Sequence, residues 1–110
     1  MNRNESRMTT LNKHPKQLLT IITEAALEKH LIADAKRLRA QGYTVLDVRG
    51  GSVHATHEGQ WEADRMIEVK IICDTNVADS IATHIMENYA SHYSISMFFG
   101  LVEVIRNEKY

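Results

Sequence analysis

The stretch Gly42-Tyr43-Thr44-Val45-Leu46-Asp47-Val48-Arg49-Gly50-Gly51-Ser52 decides how this chain is read. Gly42 predicts the end of a helix, because glycine tolerates the left-handed conformation that closes many helices. Residues 43–48 are β-branched, aromatic or aliphatic, with Thr44, Leu46 and Val48 on one face, and predict a strand. The glycine pair then opens a polar segment, residues 50–64, with neither helical nor strand periodicity. A loop that long in a 110-residue chain is uncommon and usually functional or disordered.

The flanking elements alternate. Upstream, Leu18-Leu19-Thr20-Ile21-Ile22 is a nearly continuous apolar run, as expected of a central strand buried on both faces. Thr23 is placed to cap a helix over residues 24–41, whose stripe is Leu27, Leu31, Ala35 and Leu38. Downstream, residues 66–73 alternate, with Ile67, Val69, Ile71 and Cys73 on one face. Asp74 or Thr75 can cap a second helix, with Val77, Ile81, Ile85 and Tyr89 as its stripe. Residues 92–96 are a polar connection, and residues 97–105 form a last strand.

The order is β-α-β-loop-β-α-β. Two right-handed βαβ units in one small chain predict an α+β, ferredoxin-like βαββαβ sandwich with both helices on one sheet face. The other face needs cover, and the outer strands present unpaired backbone, so a homo-oligomer is expected. Residues 1–15 read as a polar N-terminal arm and residues 16–110 as one domain.

Composition narrows the function. A net charge of −1 gives no basis for sequence-independent binding to nucleic acid. No apolar run approaches the ~20 residues a membrane helix needs. The polar start, residues 1–7, lacks the apolar centre of a signal peptide, so a cytoplasmic protein without membrane insertion is expected. Cys73, the single cysteine, sits in an apolar run and reads as a small buried hydrophobe. No spacing ties a nucleophile to a base and an orienting acid, so the chain does not read as an enzyme.

The arrangement resembles the PII signalling superfamily over most of residues 17–106. The features that carry the resemblance are the element order, Gly42-Tyr43-Thr44-Val45 entering the second strand, the glycine pair opening the long loop, and the ending Val102-Glu103-Val104-Ile105-Arg106. It looks closest to the PII-like proteins associated with inorganic-carbon uptake and carboxysome operons. That resemblance implies a homotrimer with adenine nucleotide in clefts between subunits. It further implies that residues 50–64 are the T-loop, whose order changes with ligand and which touches a partner. The implied effectors are ADP or AMP, with bicarbonate, and the implied partner is a membrane transporter or another component of a carbon-concentrating mechanism. Thr44 and Gly50 match cleft-lining positions, and Arg106 matches a basic position on the last strand.

There are departures from typical PII proteins. The loop is shorter and has no tyrosine, which removes support for uridylylation. The connection Tyr89-Ala90-Ser91-His92-Tyr93-Ser94-Ile95-Ser96 lacks the glycine and lysine of the usual phosphate loop, which favours a nucleotide with fewer phosphates than ATP.

The residue chemistry fits an anion site. Arg49-Gly50-Gly51-Ser52 offers a guanidinium, backbone N–H groups that can approach closely, and a hydroxyl; the alternative is an ordinary strand exit. Arg65 can fork onto phosphate or bicarbonate, or pair with Glu62 or Asp64. Arg106 can do the same or sit solvated at a strand end. Lys70 either faces the cleft or snorkels to the surface. The nucleotide set is thus Thr44, Val45, Arg49, Gly50, Gly51, Ser52, Arg65, Lys70 and Arg106. The bicarbonate and T-loop set is Gly51, Ser52, Val53, Trp61 and Arg65, with Trp61 able to stack on a base, anchor a partner or latch the trimer.

A second reading is a trimeric divalent-metal protein resembling the cation-tolerance family, with His54 and His57 as ligands completed by another subunit. A third is an amino-acid-binding regulatory domain of the same element order. His30 and His84 read as helix-surface histidines. Met86, Met97, Phe98 and Phe99 read as core or trimer interface.

Overall fold

The computed structural model describes residues 11–50 and 65–110. Four strands form one antiparallel sheet: β1 (His14–Glu24), β2 (Thr44–Val48), β3 (Met66–Cys73) and β4 (Ile95–Val104), in the order β2-β3-β1-β4. Helices α1 (Glu28–Arg37) and α2 (Thr75–Asn88) supply the two crossovers. This is the expected ferredoxin-like α+β sandwich.

Alternation along the strands sets the core. Leu19, Ile21, Ile67, Val69, Ile71 and Cys73 point to the helices and are buried. Leu27, Leu31 and Ala35 meet them from α1 and its lead-in, and Ala78, Ile81 and Ile85 from α2. Of the predicted stripes, Leu27, Leu31, Ala35, Ile81 and Ile85 are buried and Leu38, Val77 and Tyr89 partly so, while Met86 lies exposed. Burial also holds the Cys73 thiol neutral, with its pKa pushed up to about 11 and the neighbouring Asp74 charge adding to the effect.

Several boundaries differ from expectation. β1 starts at His14, so Pro15 is inside the sheet, opposite Glu103 on the edge strand β4, rather than closing a polar arm. β4 begins at Ile95, inside the expected connection. Thr23 does not cap a helix. It is the buried end of β1, and its hydroxyl donates to the Ser94 carbonyl at 2.7 Å. The chain passes instead through a short 3-10 turn, Ala25–Leu27, into α1. Asp74 does occupy the N-cap of α2, but its carboxylate turns away to accept from Lys16 Nζ at 2.6 Å.

Gly42 is not the stop of α1. The helix ends at Arg37, and Arg39 takes the left-handed conformation with φ 85°. The Arg39 N–H donates to Lys36 O at 3.1 Å and the Ala40 N–H to Ala35 O at 2.9 Å, the paired bonds of a Schellman ending. A Cβ on Gly42 would meet nothing within 4 Å.

Candidate functional site

The end of the sheet where β2 meets β3 gathers part of the candidate set. Val48 opposite Met66 is the last pair of that ladder, so Arg49 and Arg65 flank it and Gly50 follows. Arg65 is fixed through its backbone, its carbonyl accepting from Ala25 N–H at 2.8 Å. The connection from α2 to β4 arrives at the same end. The Ser94 N–H donates to the Glu24 carboxylate at 2.7 Å, while Thr23 holds the Ser94 carbonyl. Two arginines, the loop base and the α2–β4 connection therefore share the C-terminal end of β1.

The remaining candidates sit elsewhere. Thr44 and Lys70 face each other in the β2–β3 ladder, on the uncovered sheet face. Lys70 Nζ lies 3.5 Å from the Glu68 carboxylate, an exposed pair of the kind that contributes little and exchanges readily for another anion. Val45 opposes Val69 and packs on the core, which leaves only its backbone for a ligand. Arg106 follows β4 at the opposite end, beyond Val104, which pairs with His14. It makes an exposed ion pair with Glu108 at 3.2 Å. The length of β1, 11 residues, puts roughly 33 Å between the two ends of the sheet. One subunit cannot bring Arg106 to Arg49 and Arg65.

Among the described residues, a Cβ on Gly50 would meet nothing within 4 Å. Gly51, Ser52, Val53, Trp61, His54 and His57 lie outside the described residues, as do Glu62 and Asp64. Among the described residues, no group of three or more His, Cys, Asp or Glu side chains is placed to hold a metal ion. No helix among them is long and apolar enough to cross a membrane.

Among the described residues, none of these cations lines the groove of about 750 Å³ between α2 and β4. Met86, Met97 and Phe99 line it, and Asp79 and Glu87 on its wall make it a poor place for phosphate.

A polar cluster between the helices escaped the sequence reading. Asp34 of α1 accepts from the Tyr89 hydroxyl at 2.5 Å and from His84 Nε2 at 3.0 Å, with Arg37 at 3.4 Å on its other oxygen. Burial pushes the Asp34 carboxyl up, but the bonds from Tyr89, Arg37 and His84 outweigh it and hold it below its ordinary value. The same Tyr89–Asp34 bond, reinforced by burial, pushes the phenol up to about 12. The only signal in the sequence was helical spacing, which puts Asp34 beside Leu31 and Leu38, and His84 beside Ile81 and Ile85.

Comparison with known proteins places this architecture. Residues 16–109 match the family model described as nitrogen regulatory protein P-II. Among solved structures, a protein from Thermus thermophilus described as PII-like shares 35% identity, with a TM-score of 0.77, over 90% of this chain and 98% of that one. The protein CPII from Thiomonas intermedia, bound to ADP and bicarbonate, superposes with a TM-score of 0.78 at 21% identity, over 91% of this chain and 98% of its own. A second CPII structure, bound to ADP, AMP and bicarbonate, gives 0.78 at 22% identity over 91% and 97%. A search of curated proteins found no match. With the family model spanning nearly the whole sheet and both helices, this chain belongs to the PII family of regulatory, non-enzymatic signalling proteins.

Proposed function

We propose that the chain works as a homotrimer that senses ADP or AMP, together with bicarbonate, in clefts between subunits. The observation that carries this reading is the division of the candidate cations between two ends of one sheet. Arg49 and Arg65 stand at the base of the loop, and Arg106 stands a full strand length away. A neighbouring copy is what brings the two ends together, and an anion held between them joins subunits as well as side chains. The ligands of CPII support the choice of nucleotide and bicarbonate.

In this reading Arg49, Gly50, Gly51, Ser52 and Arg65 contact phosphate, with Arg106 of a neighbouring copy across the cleft, Thr44 and the Val45 backbone along the cleft wall and Lys70 exchanging Glu68 for ligand. Arg65, with Gly51, Ser52, Val53 and Trp61, holds bicarbonate at the loop base through oriented N–H groups and a bidentate guanidinium. Ligand gives residues 50–64 fixed partners, and that population shift controls binding to a partner in inorganic-carbon uptake, such as a membrane transporter. The setting is cytoplasmic.

Calorimetry with AMP, ADP, ATP and cyclic AMP, each with and without bicarbonate, tests the proposal. ADP or AMP should bind, and bicarbonate should change that affinity. Arg65→Ala should weaken nucleotide binding by about tenfold, consistent with losing a charge-assisted bond, and should remove the bicarbonate effect. Binding by none of the four nucleotides overturns the sensor reading.

A further inference from the structure

The connection between α2 and β4 commits its backbone donors to the chain itself. The Tyr89 and Ala90 N–H groups donate to Ile85 O at 2.9 and 3.2 Å, and those of His92 and Tyr93 to Tyr89 O at 3.0 and 3.1 Å. These turn back on the end of α2. The Ser94 N–H behaves differently. It donates at 2.7 Å to the carboxylate of Glu24, a residue 70 positions away. Its acceptor is a charge, where the others find neutral carbonyls.

Ser94 is held on both sides from the end of β1. Glu24 takes its N–H, and the Thr23 hydroxyl donates to its carbonyl at 2.7 Å. Glu24 pairs with Met66 in the ladder, and the next N–H, of Ala25, donates to Arg65 O at 2.8 Å. β1 lies between β3 and β4. Arg65, just before β3, and Ser94, just before β4, therefore flank the end of β1, two strand spacings or about 10 Å apart. The bond from a backbone N–H to a carboxylate is the charge-assisted bond that the same N–H would make to a phosphate oxygen. The donor carries a single proton. A phosphate could take it only by displacing Glu24, and would meet the carboxylate's like charge on arrival.

We propose that Glu24 is a specificity-determining residue, which fills the Ser94 N–H with an anion of the chain's own and so limits the number of phosphates the site accepts. A mono- or diphosphate is held at Arg49 and Arg65, and a longer phosphate chain extended across the end of β1 is rejected. The proposal rests on the nucleotide reading above and gives its phosphate count a cause in this chain's own hydrogen bonds. Glu24→Ala frees the N–H and removes the charge. Glu24→Gln removes the charge but keeps an oxygen available to the N–H. Thr23→Val releases the other side of Ser94 and frees no backbone donor, so it reports the effect of loosening alone.

The first test is calorimetry on the full chain and these variants with AMP, ADP and ATP. Wild type should bind ATP more weakly than ADP. Glu24→Ala should tighten ATP about tenfold, the effect of one charge-assisted hydrogen bond, and AMP far less, with Glu24→Gln in between. Thr23→Val should keep the wild-type ratio of ATP to ADP affinity. A Glu24→Ala protein that also keeps that ratio, or a Thr23→Val protein that shifts it as far, overturns the assignment. The second test needs no nucleotide. Inorganic tripolyphosphate is titrated into isotope-labelled protein, and the Ser94 amide is followed by NMR. That amide should shift saturably in Glu24→Ala and stay in place in wild type. An amide that shifts equally in both, or in neither, overturns the proposal. If it shifts as stated while no nucleotide binds any of the proteins, the role of Glu24 stands and the nucleotide reading falls.

Discussion

On the helix-covered face of the sheet, Leu19, Ile21, Ile67, Val69, Ile71 and Cys73 are each at most 1% exposed, whereas on the opposite face Leu46 keeps 42% and Phe98 51% of its surface open. Both faces are built from alternating strands, and both carry apolar residues. The difference lies in what covers them. The covered face is complete within one chain and accounts for folding. The open face, with Leu18, Ile22 and Ile72 only half-buried, holds apolar surface that a lone subunit leaves in water. The interior holds a subunit together, and the open face fits a surface that would hold subunits to one another.

A pair of substitutions sharpens that division and carries the largest expected effects. Ile81→Ala cuts the core at a residue 1% exposed and should cost about 2–5 kcal/mol in chemical denaturation. Phe98→Glu places a charge on the open face. It should leave each subunit folded by circular dichroism yet convert the proposed homotrimer to smaller species in light scattering. If Phe98→Glu unfolds the chain, or leaves the assembly state of the wild type unchanged at micromolar concentration, the two faces do not divide the work as described.

The covered face was legible in the sequence because period-two alternation in residues 66–73 and the 3.6-residue stripes of both helices report burial directly. The chain termini of those elements were less so. Thr23 has the chemistry of an N-cap, but an antiparallel ladder continues through it and its hydroxyl finds Ser94, a partner 71 positions away. Gly42 obeys the rule for helix endings, yet Arg39 takes the left-handed position three residues earlier. The candidate cations were recognisable by type. Their division between two sheet ends was not, because it depends on the register that sets Val104 against His14 and Val48 against Met66. The Asp34–His84–Tyr89 cluster joins residues 50 and 55 positions apart, a distance no local pattern reports.

That cluster gives an intermediate effect with a defined pH window. Asp34→Ala removes the acceptor for Tyr89 and His84 and should cost about 1–2 kcal/mol at pH 7. The folded-state value of Asp34 is lowered, so its contribution is present above the ordinary carboxylate range, near pH 4, and is lost as pH falls through the folded value. Wild type and variant should therefore converge in stability once pH falls below the lowered folded value of Asp34. Tyr89 moves the other way. With its folded value raised, its contribution is present below about pH 10 and lost as pH rises through about 12. An ultraviolet titration should find one of the four tyrosines ionising late, and Asp34→Ala should bring it back towards the others.

The smallest effect is expected at Arg39, which belongs to neither face. Its φ of 85° costs a side-chain-bearing residue about 1 kcal/mol, a strain that glycine does not feel. Arg39→Gly relieves that strain while adding freedom to the unfolded chain, so the net gain should be under about 1 kcal/mol. The Schellman bonds at Lys36 and Ala35 remain because they are backbone bonds. Gly42→Ala is the control: its Cβ meets nothing within 4 Å, and it should leave stability unchanged or raise it slightly. A loss of stability in Arg39→Gly would mean that the arginine side chain contributes more than its backbone costs. A loss in Gly42→Ala would return the end of α1 to the glycine that the sequence rule selects.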